Sequence, residues 1–375
     1  MRRAGRFGWE GPRWPHFRWD AGHLLVPLGA ARGAQGELRG LLAYLGFRDL
    51  ARAELDARTE EALQTADIEG EAVSRVAVRS SIARRLNIDE GAAVTADAKA
   101  QGLVDMILDA TIDYASPLTI ERLNRWHAGL FPVPLGGAQS RIAIGRWRDD
   151  ATGPMQVVSG RIDEPTIHFQ APPATRIQAE VEAFLHWFEA PASEDGLLRS
   201  AIAHLWFVTI HPYDDGNGRI ARAISDMALA RDENSSRRYF SMSRQINIEK
   251  ANYYDAIEHA QRSNLDITDW LTWFLGCYKR AIESARRITD EVLKAQDFWR
   301  KHEDVAISDR QRRVLTRYLH GFEGKLTARK WAAMAKASPD TAQRDIADLV
   351  DKGVLAKNAG GSKNTSYSVV GYDLS

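Results

Sequence analysis

A single cysteine, Cys277, among 375 residues excludes an internal disulfide and fits a reducing compartment, so a cytoplasmic protein is expected. Net charge is missing too. Lys plus Arg and Asp plus Glu both number 50, which removes any global attraction to nucleic acid or anionic membrane and leaves only local patches. No run is long and apolar enough to span a bilayer. Met1-Arg2-Arg3 looks like the start of a targeting signal, but the Gly, Pro, Arg and Trp that follow interrupt any apolar core. What remains is a globular chain of ordinary core fraction, long enough for two or three domains, with no membrane partner expected.

Against this background one run is dense in chemistry: His211-Pro212-Tyr213-Asp214-Asp215-Gly216-Asn217-Gly218-Arg219-Ile220-Ala221-Arg222. An apolar helical pattern, Ala201 to Ile210, precedes it, and Ile220, Ala223, Ile224, Met227 and Ala228 recur at helical spacing behind it. The Gly-Asn-Gly segment therefore lies at a helix start, where unpaired N–H groups and the helix dipole favour an anion. His211 has the ordinary imidazole range needed to take a proton from a hydroxyl near neutral pH. Asp215 offers a hard oxygen ligand suited to Mg²⁺ or Mn²⁺ shared with phosphate oxygens. Arg219 and Arg222 stand three apart and can both fork onto phosphate. The alternative is a polar helix–helix loop with a core histidine.

This run resembles the signature of Fic-domain proteins, His-Pro-Phe-x-Asp/Glu-Gly-Asn-Gly/Lys-Arg-x-x-Arg, with Tyr213 in place of Phe. The resemblance implies a mainly α fold, a Fic-type helical bundle with a small β-hairpin flap. It also implies transfer of AMP from ATP to a Ser, Thr or Tyr hydroxyl of a target protein or of the chain itself. Carried over, His211 is the catalytic base, Asp215 the metal ligand, Gly216, Asn217 and Gly218 the anion cradle, and Arg219 and Arg222 the phosphate clamp, with Ile220 and Ala221 on the same nucleotide-binding turn. Gly218, rather than Lys, leaves room for the AMP-transfer orientation.

Upstream, Trp9, Trp14, Phe17 and Trp19 form an aromatic arm, residues 1–55, expected to pin onto the main body; a helix is read from about Ala34 to Leu45. Thr65 and Glu69, four apart, share a helix face over about residues 60–72. Thr65-Ala66-Asp67-Ile68-Glu69-Gly70 resembles the Ser/Thr-x-x-x-Glu-Gly/Asn inhibitory motif of Fic proteins, which implies that Glu69 pairs with Arg222 and obstructs ATP. Residues 56–290 are then the catalytic domain. From Lys99 to Leu130 the spacing is helical, and Trp126-His127 reads as core. Gly153 to Arg161 reads as a hairpin. By resemblance this flap receives the target protein as an added strand, through Val157, Val158, Ser159 and Gly160. Ile177 to Glu189 is a core-striped helix. Beyond the run, the resemblance places Tyr253, Tyr254 and Gln261 near adenosine; Ile267 to Gly276 and Tyr278 to about Trp299 read as two further helices.

The last stretch, 300–375, reads as three helices and a hairpin turning at Gly360-Gly361, hence a winged helix. Its third helix offers Gln343 and Arg344 with Asp340, Asp345 and Asp348, which repel phosphate, while Arg310, Arg312, Arg313, Arg329, Lys330, Lys357 and Lys363 supply a local positive patch. A protein-docking or homodimer-forming module is favoured over DNA binding. Three readings follow: an adenylyltransferase restrained by Glu69, a hydrolase removing AMP at the same site, or a nucleotide-sensing DNA-binding regulator.

Overall fold

The structure is a computed structural model, and it describes residues 7–89, 97–132, 142–161, 164–319, 324–359 and 365–372. It is mainly helical with small antiparallel sheets. Two compact units separate, Met1–Leu38 with Leu50–Ala285, and Arg39–Asp49 with Arg286–Ser375. The boundaries fall inside helices α1 (Ala21–Leu42), α2 (Phe47–Ile68) and α11 (Thr268–Lys301).

These helices correct three sequence readings. α1 begins well before Ala34, and it carries Pro27 inside. A buried stripe of Leu24, Ala31, Ala34 and Leu38 outweighs the breakers that hide the helix in the sequence. Residue 55 does not end the arm, because Leu55 is fully buried in mid-α2. Gly276 does not divide α11, which runs through 34 residues.

In the larger unit follow α3 (Arg75–Arg85), α4 (Ala98–Ile112), α5 (Ile120–Leu130), β1 (Gln156–Arg161), β2 (Glu164–Gln170), α6 (Ile177–Glu189), α7 (Gly196–Ile210), α8 (Asn217–Glu233), α9 (Met242–Ile248) and α10 (Lys250–Arg262). The 99–130 stretch is thus two helices, each opened by a side-chain cap, Asp97 on α4 and Thr119 on α5. α7 has no exposed face: every residue from Leu197 to Ile210 is buried, as the all-round apolar sequence requires of a central helix. α8 packs beside it and buries Asn217, Arg219 to Ala230. The 211–216 loop therefore sits between two core helices and inherits their rigidity.

The aromatic arm folds onto this unit. The Trp9 indole donates to the Gln170 carbonyl at 2.7 Å, the Trp14 indole to Glu180 at 2.6 Å, and Phe7 packs edge-on against Phe169. Two of these three contacts fall on β2. β1 and β2 form a two-stranded antiparallel hairpin with a bulge at Val157/Val158. The Ile167 and His168 carbonyls accept from Arg262 of α10, so β2 is covered along part of its length, whereas β1 has no strand neighbour other than β2 among the described residues.

The smaller unit has α12 (Asp309–Leu319), α13 (Ala328–Ala335) and α14 (Pro339–Asp351) around a core centred on Trp331, Leu315 and Leu349. β3 (Leu326–Thr327), β4 (Leu355–Lys357) and β5 (Ser366–Val369) make an antiparallel sheet in the order β3-β5-β4. The Gly360-Gly361 turn and Lys363 lie outside the described residues. Asp345 is buried and takes both bonds of an Arg310 fork, at 2.7 and 2.6 Å, which removes Arg310 from the expected positive patch. No described helix is long and apolar enough to cross a membrane.

Candidate active site

α7 ends at His211, which takes the left-handed conformation at φ 51°. Its N–H still donates to Phe207, while its side chain leaves the helix with Nδ1 3.2 Å from the Val208 carbonyl. A carbonyl can only accept, so Nδ1 carries the proton and Nε2 presents a lone pair. Burial pushes the imidazole down to about 4; the Val208 bond opposes this and the Arg148 charge adds to it. The ring is neutral at pH 7, the form a base requires.

Gly216 then caps α8 at φ 82°, a conformation available to glycine at little cost. The first helical bond closes from Ile220 to the Gly216 carbonyl, so the amides of Asn217, Gly218 and Arg219 are the free donors of a helix start. The Asn217 side chain bonds both N–H and C=O of Tyr213, at 3.0 and 2.8 Å, and so pins the loop rather than lining the cradle. Tyr213 is fully buried and stacks on His127 with 4.1 Å between ring centres. The aromatic that replaces Phe here uses its hydroxyl on Asn124, at 3.0 Å.

Both arginines are already engaged. Arg222 donates to the Thr65 hydroxyl at 2.6 Å, the Thr65 carbonyl at 3.0 Å and the Glu69 carboxylate at 2.7 Å. Burial alone would raise the Glu69 carboxyl, but Arg222 and Arg219 outweigh it and hold it below the usual carboxylate range. The same carboxylate lies directly over the helix start: a Cβ on Gly218 would come within 2.3 Å of the Glu69 Oε1. Only glycine at 218 leaves room for it. Arg219, buried over the Phe131 ring, donates to Glu71 at 2.6 Å and lies 3.5 Å from Asp215. Nothing local in the sequence marks Glu71, the residue after the Glu-Gly pair. The two-residue spacing from Glu69 to Glu71 is the signal that could have found it.

Asp215 is half exposed, and among the described residues its Oδ1 accepts only the Gly216 N–H at 2.5 Å and the long Arg219 contact. No group of three or more His, Cys, Asp or Glu able to hold a metal occurs among the described residues. A hard divalent ion fits Asp215 only if phosphate and water supply its other oxygens.

A strap formed by residues 143–150 runs along the loop. Ala143 N–H donates to Asp214 at 2.9 Å, Gly145 N–H to His127 Nδ1 at 2.9 Å, and Arg148 N–H to the Pro212 carbonyl at 3.1 Å. His127 in turn bonds the Asp215 carbonyl through Nε2 at 3.2 Å. His127 is core, as its sequence context indicates, yet it also joins strap to loop.

The remaining predicted residues divide. Ile220 and Ala221 are fully buried, so only their helix position contributes. Val157, Val158 and Ser159 are exposed on β1, and Gly160 continues that strand. Tyr254 is 43% exposed and reaches the Ile68 carbonyl at the end of α2, at 3.4 Å. Tyr253 and Gln261 are buried, Tyr253 bonded to His204 at 2.8 Å and within reach of the Arg222 and Glu69 charges, and Gln261 bonded to Thr209 at 3.4 Å. Their helix, α10, turns those two side chains toward α7.

Comparison with known proteins agrees with this geometry. Residues 7–88 match a domain of unknown function (DUF4172), and residues 117–229 match the Fic/DOC family. A Fic family protein from Desulfovibrio desulfuricans G20 has a similar fold, with a TM-score of 0.52 at 20% identity over 94% of this chain and 98% of that one. A Fic domain containing signaling protein from Bacteroides thetaiotaomicron VPI-5482 gives 0.50 at 16% identity, over 70% of this chain and 98% of that one. With its histidine at the end of α7 and its glycine-capped α8 inside the matched span, the chain carries a Fic/DOC domain over residues 117–229.

Proposed function

We propose that this chain is a Fic-type transferase that moves AMP from ATP to a protein hydroxyl, and that Glu69 holds it in check. One observation carries the reading: the Glu69 carboxylate occupies the helix start that phosphate needs, bonded to Arg222 and in contact distance of Gly218. A carboxylate and a phosphate compete for the same donors, and their charges repel. The ends of α2 and α8 are 153 residues apart in sequence at this contact, which supports a dedicated arrangement rather than a local accident.

In this reading the free amides of α8 and the two guanidiniums bind and orient the phosphates. The neutral His211 takes the proton of the incoming hydroxyl as that oxygen bonds the α-phosphorus in line, and pyrophosphate leaves. Mg²⁺ or Mn²⁺ on Asp215 would neutralise phosphate charge. The exposed β1 edge is a place for the target segment to add as a strand. Removal of AMP is a second reading, favoured by an ionised Glu69 close enough to His211 to act on its charge, and so able to orient a water. We read the smaller unit as a winged-helix module for protein docking or homodimer formation; the pairing of Arg310 with buried Asp345 weakens the DNA reading.

Incubation with α-labelled ATP tests the assignment. Glu69→Gly is expected to raise incorporation by about 10- to 100-fold, the factor that losing a charge-assisted bond of roughly 1.5–3 kcal/mol gives. His211→Ala in that background is expected to lower it by about 10²- to 10⁴-fold. Unchanged labelling in Glu69→Gly defeats the inhibitory role, and labelling that survives His211→Ala defeats the base.

A further inference from the structure

We propose that Arg148 is a positioning residue for His211, clamping the main chain of the base and tying it to the foot of the flap. This deepens the transferase reading and rests on it for the catalytic consequence. Arg148 is only 3% exposed, and its groups bind at two places. On the loop, its Nε donates to the His211 carbonyl at 2.8 Å and its backbone N–H to the Pro212 carbonyl at 3.1 Å. Just past the end of β2, its Nη2 donates to the Pro172 carbonyl at 2.5 Å. Its Nη1 pairs with Asp150, whose second oxygen accepts the Ala174 N–H at 2.7 Å. The guanidinium thus ties the His211 carbonyl to residues 172–174, while the Arg148 backbone N–H holds the next carbonyl, that of Pro212.

His211 needs such a hold. A left-handed backbone is uncommon for a non-glycine residue and persists where surrounding contacts over-determine it. Among the described residues the imidazole makes one hydrogen bond, the 3.2 Å contact to Val208, so the direction of its Nε2 follows the backbone beneath it. A hydrogen bond to each of two successive carbonyls, those of His211 and Pro212, sets that backbone. Lysine cannot reproduce this, because a single ammonium lacks the fork that spans two separate carbonyls and a carboxylate.

Charge gives a second handle. The charged groups facing the imidazole are Arg148 from the strap, Glu69 from beyond α2 and Asp215 from its own loop. Arg148 is the cation of the three. Without it, a positive charge beside the ring is gone and the imidazole binds a proton more readily.

The test uses the full chain and two readouts. The first follows the His211 ring signals by NMR against pH in wild type, Arg148→Met and Arg148→Lys, with the signals assigned by their loss in His211→Ala. His211 is expected to titrate at higher pH in Arg148→Met, moving from about 4 toward the 6.5 of an unperturbed imidazole, and to stay low in Arg148→Lys. The second measures AMP transfer in the Glu69→Gly background. Arg148→Met is expected to lose about 10²-fold in kcat, as displacement of a reacting group by about 1 Å does, with KM for ATP little changed. Arg148→Lys is expected to keep the low titration but recover only part of kcat.

A His211 titration identical in wild type and Arg148→Met overturns the proposal, as does an Arg148→Lys enzyme with full kcat. If Arg148→Met does not fold, the lysine variant alone decides: full kcat overturns the clamp, and reduced kcat with a low His211 titration supports it. Absence of transfer even in Glu69→Gly defeats the functional reading, while the NMR result still decides whether Arg148 governs His211.

Discussion

Two segments far apart in sequence grip the 211–222 run, and they grip different atoms. The strap at 143–150 and His127 bind main-chain carbonyls of His211, Pro212 and Asp215, with donors that nothing but a carbonyl or carboxylate needs. The end of α2 and the turn after it instead bind guanidiniums, through Thr65, Glu69 and Glu71. Glu69 and Glu71 are about a third exposed, at 28% and 33%, whereas Arg148 and His127 are buried. The first grip shapes the loop. The second occupies its charge, and an anion of higher charge can replace it. One run can therefore be rigidly built and reversibly blocked, because backbone geometry and side-chain charge are held by separate elements.

The comparison breaks most sharply at His127. Replacing it by Phe keeps a ring on Tyr213 but leaves the Asp215 carbonyl and the Gly145 N–H without partners. Both groups are only part-buried and water can partly replace the ring, so Glu69→Gly/His127→Phe is expected to be less stable to denaturant than Glu69→Gly by about 1–3 kcal/mol and to transfer less AMP. Equal stability would mean that the strap does not hold the loop.

Acid separates the two grips next. Burial lowers His127 and His211 to about 4 and His204 to about 3. Between pH 6.5 and these values the unfolded chain binds more protons than the folded one, so stability rises with pH and falls on acidification. The slope is up to about 1.4 kcal/mol per pH unit for each group. Denaturation at pH 7 and pH 5 reads it, and a flat profile contradicts the burial of these rings.

A smaller effect is expected at Glu71. Its pairing with Arg219 is partly exposed, worth at most about 1 kcal/mol, so Glu71→Gln should raise transfer by up to about fivefold, less than Glu69→Gly. Lowered transfer would make Glu71 a support of Arg219 rather than a competitor.

The smallest expected effect is none at all. Glu69 ionises below its ordinary 4.5 in the folded chain, so its contact with Arg222 is fully present above that value and is lost only as pH falls through the lower folded one. The ratio of Glu69→Gly to wild-type labelling should stay constant from pH 8 to 5. Activation of the wild type at pH 6 would place the switch on another group.

How far the sequence reached depends on how local each determinant is. The helix start at Gly216, the two arginines and the Thr65–Glu69 spacing are legible because a few consecutive residues fix their geometry. Glu71, His127 and Arg148 are not, since each acts on the loop from 63 or more residues away and carries no motif of its own. Tyr253 and Tyr254 show the same limit at one step of resolution: neighbours on one helix, one is buried and the other open, and only packing decides which. The start of α1 was hidden for the opposite reason, as Pro27 and frequent glycine give local signals that burial of Leu24 and Ala31 overrides.

Gly70 is the pivot of the turn that closes α2. It takes φ 75°, and the Glu71 N–H returns to the Ala66 carbonyl, which is the ordinary way an α-helix stops. That stop reverses the chain between two carboxylates and sends them to guanidiniums one helical turn apart on α8. A residue with a side chain at 70 would resist the reversal, and Glu69 and Glu71 could then no longer land in step. The end of α2 thus works as a gauge block: its turn, rather than either acid alone, sets the spacing at which two arginines are met together.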